Sequence, residues 1–231
     1  MSKQIAEQLE REIEKEYTVP TRWVHWLRFI SIIALTVTGF YIASVFVAPS
    51  ISSEPNLFFN ARMRMWHEIF GFVLIGVTIF KIYTFFTDRS NPQKLEIVSV
   101  KDVFSLKVWV EQIKFYLFLG PHPKLRGIYN PLQFLAYAGL YVLLVVICLT
   151  GLVLYVHNYH NGLGGVLYGA MRPLELLFGG LAYTRLIHHL AMWAILIFAV
   201  GHLYMVIFNS IKVREGGLDS IVSGLKFKKK H

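Results

Sequence analysis

The sequence predicts an all-α integral membrane protein, a bundle of four transmembrane helices. The chain has 231 residues, is 55% hydrophobic and has a mean hydropathy of +0.50, which is more apolar surface than one soluble core of ordinary composition buries. Four apolar runs are long enough to cross a hydrocarbon layer of about 30 Å, which takes about 20 helical residues. The runs do not alternate as the strands of a membrane β-barrel would. They are Trp23–Ala48, Met65–Thr87, Asn130–Val156 and Arg185–Ile211.

A single domain is the simplest arrangement for these spans, because four helices leave little of a chain of this length for a second core. It would cover residues 1–231, with an N-terminal segment at 1–20, a loop at 88–126 and a basic tail at 212–231. The first twenty residues mix acidic and basic side chains and lack the apolar core of a cleavable signal peptide. The first span is therefore expected to remain as an anchor.

Basic residues are unevenly divided between the two ends of the spans. Nineteen of the 23 Lys and Arg residues lie in the N-terminal segment through Arg28, between Lys81 and Arg126, or after Ile211. This positive-inside bias predicts a multi-pass membrane protein with both termini and the 88–126 loop in the cytoplasm. The tail FKKKH is then interpreted as a topology determinant and lipid contact, not as a nucleic-acid-binding patch. The four remaining cations are Arg62, Arg64, Arg172 and Arg185.

An amphipathic surface helix is predicted in the cytoplasmic loop between the second and third spans. Apolar residues recur there at helical spacing between charged ones, and the pattern is typical of a helix that lies on a membrane surface. The segment PHPKLRGIYNP, 121–131, then ends the helix and leads into the third span. The apolar positions are Val103, Leu106, Val110, Ile113 and Leu117.

Four of the nine histidines lie inside the predicted spans at matched depths. His188 and His202 share the last span, 14 residues apart, so they lie about 21 Å apart along the helix and within about 40° of the same face. His67, near the outer start of the second span, matches the depth of His188. His25, one turn inside the first span, matches the depth of His202. An ionisable group in lipid is costly and usually marks a site, although a single one can also be a packing residue.

Two planar cofactors, each held between two imidazoles, account for this spacing. Pairs about 21 Å apart cannot supply one tetrahedral zinc shell. Cys148 is the single cysteine, which excludes an internal disulfide, a cysteine-ligated iron–sulfur cluster and the C-x-x-C-H attachment of covalent haem. The prediction is two non-covalent haem b groups with bis-histidine iron, which suits electron transfer better than oxygen binding. The inner haem is assigned to His25 and His202, and the outer haem to His67 and His188.

An arginine precedes three of these histidines by three residues, in TRWVH, RMWH and TRLIH. Arg22, Arg64 and Arg185 therefore lie on about the same helix face as their histidine and one turn nearer water. Because guanidinium pairs well with carboxylate, they are predicted to bind the haem propionates. Interfacial anchoring is the alternative. Anchoring at the interface explains Arg22, which lies on the basic side. It explains Arg64 and Arg185 less well, because they lie at helix N-termini, where the helix dipole disfavours a cation.

Two stretches resemble the b-type cytochrome subunit of membrane-bound nickel–iron hydrogenases. RWVHWLRFISIIALTVTG, 22–39, is similar to the first-helix pattern of that family, and HHLAMWAILIFAVGH, 188–202, is similar to its last-helix pattern. The related membrane subunit of respiratory formate dehydrogenase shares the four-histidine plan. The resemblance implies the same four haem ligands. It also implies an electron-transfer subunit of a respiratory hydrogen:quinone oxidoreductase, which takes electrons from the iron–sulfur clusters of a periplasmic hydrogenase of small and large subunits.

The resemblance also implies that this subunit reduces a quinone, menaquinone or ubiquinone, near the cytoplasmic side. GIYNPLQ, 127–133, resembles the stretch that holds a quinone analogue in the formate dehydrogenase subunit, with Tyr129, Asn130 and Gln133 at the matching polar positions. Pro131 departs from that pattern, and Asn130 before a proline is equally a helix N-cap. His122 is a candidate proton donor because imidazole titrates near neutral pH, the alternative being an exposed loop histidine.

Three other functions stay open at this level. A formate dehydrogenase subunit would share the haems and differ in its electron donor. A metal or proton transporter would instead place its histidines in a polar file along a pore. A structural anchor would leave four depth-matched histidines without a role.

Overall fold

The structure, a computed structural model, describes residues 11–15, 17–44, 58–87, 98–117, 119–121, 123–127, 129–212 and 217–229. Helices dominate the described chain, so the predicted all-α class is confirmed, with one short strand pair added. In chain order the elements are β1 Arg11–Lys15, α1 Val19–Ala43, α2 Phe59–Thr87, α3 Val100–Val103, α4 Leu106–Tyr116, α5 Pro131–Asn158, α6 Gly162–Leu177, α7 Leu181–Lys212, α8 Gly217–Ser223 and β2 Leu225–Lys229.

Four of these helices are long and apolar enough to cross a membrane, as the sequence predicts. Three of them begin earlier than predicted, and α7 begins at Leu181 rather than Arg185. Helix α1 begins at Val19 rather than Trp23, because Pro20 fits the first helical turn, where its missing N–H leaves no bond unmade. Helix α2 begins at Phe59 rather than Met65, so its first turns extend beyond the apolar run. The four spans are Val19–Ala43, Phe59–Thr87, Pro131–Asn158 and Leu181–Phe208.

The spans pack around a small apolar core and expose apolar faces outward. Helix α1 packs on α2, and α5 packs on both α6 and α7. The buried cluster draws on α2, α5 and α7, and consists of Leu74, Leu140, Leu144 and Ile195. Ile79, Val142 and Ile197 are 62%, 62% and 72% exposed on the outside of the same helices. An apolar outer surface of this kind suits lipid as the surrounding solvent.

The predicted surface helix forms as two pieces, α3 and α4, separated at Phe104 and Ser105. Helix α4 buries Val108 and Gln112 against the bundle. Four of the five residues of the predicted apolar stripe are exposed, namely Leu106, Val110, Ile113 and Leu117, and Val103 is half-buried.

Two buried polar side chains of this loop fix the chain just before α5. Asp102 is fully buried, and its Oδ2 accepts hydrogen bonds from the backbone N–H groups of Arg126 at 2.8 Å and Gly127 at 3.2 Å. Ser99 Oγ accepts a hydrogen bond from the backbone N–H of Tyr129 at 3.2 Å. These bonds satisfy backbone donors at the point where the loop becomes a span.

The two ends of the described chain meet in a strand pair that the sequence analysis did not predict. Strands β1 and β2 are antiparallel, with Arg11 opposite Lys229 and Lys15 opposite Leu225. The backbone N–H of Tyr17 also donates to the Gly224 carbonyl at 3.2 Å. Segments that precede the first span and follow the last one therefore lie together at one end of the bundle.

Candidate functional site

The four histidines predicted to bind haem lie in two pairs. The ring centres of His25 on α1 and His202 on α7 are 6.4 Å apart, with an interplanar angle of 50°. The ring centres of His67 on α2 and His188 on α7 are 6.5 Å apart, with an angle of 61°. Helix α7 therefore contributes one imidazole to each pair, and different helices contribute the others.

The spacing within each pair fits two axial ligands of one metal ion. A metal–nitrogen bond of about 2 Å puts the centre of an imidazole about 3 Å from the metal, so two rings on opposite sides lie about 6 Å apart. Within the described ranges, no group of three or more His, Cys, Asp or Glu side chains lies close enough to hold a bare metal ion. A metal at either pair would need its remaining ligands from a cofactor, as a porphyrin supplies them.

The His67–His188 pair borders a cavity of about 580 Å³ between α1, α2, α5 and α7. This volume lies in the range of sites for small molecules and cofactors. Two glycines keep the space beside the rings open. A Cβ on Gly39 would lie 3.2 Å from Cε1 of His67, and a Cβ on Gly151 would lie 3.4 Å from Cε1 of His188. Apolar side chains supply most of the remaining wall, among them Ile32, Phe40, Ile147, Leu152 and Met192.

A threonine next to each glycine fixes the tautomer of the facing histidine. Thr38 Oγ1 lies 2.9 Å from Nδ1 of His67, and Thr150 Oγ1 lies 2.9 Å from Nδ1 of His188. Each hydroxyl donates its one proton to a carbonyl of its own helix, at 2.7 Å to Ala34 and 2.8 Å to Val146. Each threonine therefore accepts from the imidazole, so Nδ1 holds the proton and the Nε2 lone pair is free for a metal.

Aromatic side chains pack around the His25–His202 pair. Phe198, one turn before His202 on α7, stacks on its ring with centres 5.7 Å apart and an angle of 9°. Tyr137 of α5 meets the His202 ring at 6.0 Å, edge to face. Nδ1 of His25 is buried and has no hydrogen-bond partner among the described residues. The two pairs thus differ in how their rings are held.

The three arginines predicted to bind the haem propionates lie in two different parts of the structure. Arg64 and Arg185 both line the cavity beside the His67–His188 pair. Arg22 donates from Nη1 to the backbone carbonyl of Val222, and Gly224 lies against its guanidinium. Arg22 therefore connects α1 to the C-terminal segment.

The sequence analysis missed two charged residues of the site. Glu68 lines the same cavity, accepts a hydrogen bond from the Tyr159 hydroxyl and interacts electrostatically with Arg64. That hydrogen bond raises the pKa of Tyr159. Arg28 lies inside α1, with its Cζ 5.5 Å from the centre of the Tyr141 ring. Each could have been identified from the sequence, because each is a charged residue within an apolar run.

The predicted quinone residues lie at the start of α5, where a helix cap forms. Asn130 Oδ1 accepts from the Gln133 backbone N–H at 2.9 Å, and Gln133 Oε1 accepts from the Asn130 N–H at 3.3 Å. Asn130 Nδ2 donates to the Tyr116 hydroxyl at 2.9 Å. The N-cap alternative for Asn130 is therefore what the structure shows. Tyr129 instead packs on Tyr137, with ring centres 5.1 Å apart, so aromatic rings connect it to His202.

Of the histidines outside the two pairs, His157 and His189 also line the cavity beside His67 and His188. His122, the predicted proton donor, lies outside the described residues. His157 binds Glu175 at the end of α5, with its Nε2 2.6 Å from Oε2. His160 is exposed in the following loop.

Comparisons with known proteins find one matching family model and several similar proteins. The family model described as prokaryotic cytochrome b561 matches residues 16–224. A protein of Rhodobacter capsulatus is 28% identical over 90% of this chain and 79% of its own length. A protein of Rhizobium leguminosarum bv. viciae is 28% identical over 94% and 90%, and one of Azotobacter vinelandii is 29% identical over 90% and 86%. Each of the three bears the name "Probable Ni/Fe-hydrogenase B-type cytochrome subunit".

Proposed function

This chain belongs to the prokaryotic cytochrome b561 family, and from that premise we propose that it is the di-haem membrane subunit of a nickel–iron hydrogenase complex. Membership of the family implies haem b and electron transfer. The finer proposal is that one domain, residues 1–231, carries electrons from the iron–sulfur clusters of a periplasmic hydrogenase to the membrane quinone pool.

One observation carries the proposal, the presence of two separate histidine pairs with ring centres 6.4 and 6.5 Å apart. Each separation suits two axial imidazoles on one iron. Since His188 and His202 are 14 residues apart on one helix, the two sites lie about 21 Å apart along the axis of α7. Two sites at different depths are what a path across a membrane needs, whereas one site would reach only one side.

A haem held by either histidine pair would supply one-electron oxidation and reduction there. The protein's contribution is to hold and orient the rings. His67 and His188 are set by Thr38 and Thr150, and the glycines beside them leave room for a planar group. Arg64 and Arg185 supply positive charge at the cavity, where carboxylates of the cofactor would be stabilised.

The hydrogenase as electron donor is supported by the names of the relatives, which are Ni/Fe-hydrogenase B-type cytochrome subunits. The partners would be the small and large hydrogenase subunits. The charge distribution supports a place in the bacterial inner membrane with both termini cytoplasmic, so the His67–His188 site would face the periplasmic donor.

Quinone reduction would occur at the other end, beside the His25–His202 site. The aromatic contacts from His202 through Tyr137 to Tyr129 support this location, since they lead from the site to the start of α5. Menaquinone and ubiquinone both fit a site of this kind. Tyr129 and Nε2 of Gln133 are the proposed polar contacts, while the Asn130 side chain and Oε1 of Gln133 are used in the helix cap.

The test is a dithionite-reduced minus oxidised absorption spectrum of the full chain and its variants. We expect a haem b signal with two components. His25→Ala and His202→Ala should both lose one component, and His67→Ala and His188→Ala should both lose the other. His160→Ala, in the exposed loop, is the matched control and should keep both. Absence of any haem signal in the wild type would support a transporter, and a different grouping of the variants would require new ligand pairs.

A further inference from the structure

Arg28 places a guanidinium group inside the first span. It follows His25 by three residues, so it lies on about the same face of α1 and one turn closer to the middle of the bundle. Its Cζ lies 5.5 Å from the centre of the Tyr141 ring on α5, and its charge interacts with His25. A cation at this depth is costly and needs a compensating group.

The Tyr141 ring compensates only part of this cost, because a cation–π contact uses the face of the guanidinium and not its N–H bonds. Two donor atoms of Arg28, Nε and Nη2, are buried and have no hydrogen-bond partner among the described residues. These two nitrogens lie on one edge of the guanidinium and direct parallel N–H bonds the same way. That edge matches the two oxygens of a single carboxylate.

The described part of the chain provides no acid for this edge. Its ion pairs involve Glu111, Asp102 and Glu175, and none of them includes Arg28. Arg22, the arginine that the sequence placed beside His25, uses Nη1 on the Val222 carbonyl and so joins α1 to the C-terminal segment. Arg28 is therefore the guanidinium near His25 whose Nε and Nη2 are both buried without a partner among the described residues.

We propose that Arg28 binds a carboxylate of the cofactor held between His25 and His202. The inference rests on the proposed function, because it needs a haem at that pair. It adds a ligand-binding residue that the sequence pattern of arginine before histidine does not predict, since Arg28 follows its histidine.

The test compares haem b with its dimethyl ester, which has the same ring and iron but no carboxylates. Binding of each to the full chain, freed of haem in detergent, is measured by absorption in a His67→Ala background, which leaves the His25–His202 site. That chain should bind haem b at least tenfold more tightly than the ester. Arg28→Gln should remove this preference, and Arg28→Lys should keep part of it. Lys107→Gln, which removes an equal charge from a side chain 84% exposed, should behave as the background chain.

A second measurement uses the chain with all four histidines, in case the background variant does not fold. The component that disappears in His25→Ala should have a lower midpoint potential in Arg28→Gln, because the carboxylate loses its cation, and Lys107→Gln should leave it unchanged. An equal preference for haem b in Arg28→Gln and its parent, or an unchanged potential, would overturn the assignment and indicate that another carboxylate, such as a lipid's, meets Arg28. A wild type without a haem at His25 and His202 would instead defeat the proposed function.

Discussion

Oγ1 of Thr150 accepts a hydrogen bond from Nδ1 of His188 at 2.9 Å, across the interface between α5 and α7. The hydroxyl proton is already committed to the Val146 carbonyl of α5, so the direction of the bond to the imidazole is fixed. Thr38 holds His67 in the same way from α1. Two threonines thus orient both rings of one pair before any metal binds.

Removal of either hydroxyl should weaken haem binding at this pair. We expect Thr150→Val and Thr38→Val to lower its haem affinity by about 10- to 100-fold, the usual effect of losing the group that orients a metal-binding histidine. The measurement is a haem titration of the purified chain, monitored through the absorption component that disappears in His188→Ala. Thr84→Val is the matched control, since Thr84 bonds only the Lys81 carbonyl among the described contacts. Equal affinities in all three variants would contradict the role of the threonines.

Adding one methyl group beside the rings should also disturb the His67–His188 pair. In Gly39→Ala the new Cβ would lie 3.2 Å from Cε1 of His67, closer than ordinary contact, and in Gly151→Ala it would lie 3.4 Å from His188. We expect both variants to lose haem from this pair, with the larger loss for Gly39→Ala. The haem content per chain, from absorption and protein assay, measures this.

The control for the glycines is Gly139→Ala, in the same helix as Gly151, where a Cβ would meet nothing within 4 Å. Alanine is the better helix former by about 1 kcal/mol, so this variant should be at least as stable as the wild type and keep its haem. Loss of haem in Gly139→Ala as well would show that any added methyl group perturbs the bundle.

The sequence predicted the features that depend on the order of residues along one helix. Hydropathy located all four spans, and the 14-residue interval between His188 and His202 predicted two levels on one helix. It could not show which side chains of different helices meet, because that depends on how each helix is rotated about its axis. Thr150 facing His188 and Arg28 facing Tyr141 are contacts of that kind. The dipeptides Thr38–Gly39 and Thr150–Gly151 were visible as a repeat, but only packing gives them a role.

The sequence contains even less indication of the strand pair at the two ends of the described chain. Strands β1 and β2 join residues more than 200 positions apart in the chain, and no local pattern encodes such a pairing. Helix α6, between the last two spans, was not predicted either.

The His157–Glu175–Arg172 cluster should make stability depend on pH. Hydrogen bonds from Arg172 and His157, both 2.6 Å long, lower the pKa of Glu175 below its ordinary value of 4.5. A lowered carboxyl pKa in the folded chain stabilises it above the unfolded-state pKa, and this stabilisation is lost as the pH falls through the folded-state pKa. Glu175→Gln should therefore unfold at a lower temperature than the wild type at pH 7, with the difference shrinking below about pH 4.5.

Thermal unfolding in detergent, followed by circular dichroism between pH 3 and 7, is the measurement for this cluster. Glu111→Gln removes a carboxylate from an exposed pair, 3.9 Å from Lys107, and should change the midpoint little at any pH. A difference between wild type and Glu175→Gln that stays constant down to pH 3 would show that packing, and not the charge, stabilises this end of the bundle.

Substitutions of Asn130 separate a structural role of this residue from a role in quinone binding. Its side chain closes the capping box with Gln133 and donates to Tyr116, so Asn130→Ala should cost about 1 kcal/mol of stability. Serine caps helices nearly as well as asparagine, so Asn130→Ser should recover most of the unfolding midpoint. Its rate of quinone reduction per folded chain should then equal that of the wild type. An Asn130→Ser variant that is stable but reduces quinone more slowly than the wild type would indicate that Asn130 belongs to the quinone site. The control is Asn161→Ala, an N-cap of α6 without a side-chain capping bond, which should change neither stability nor rate.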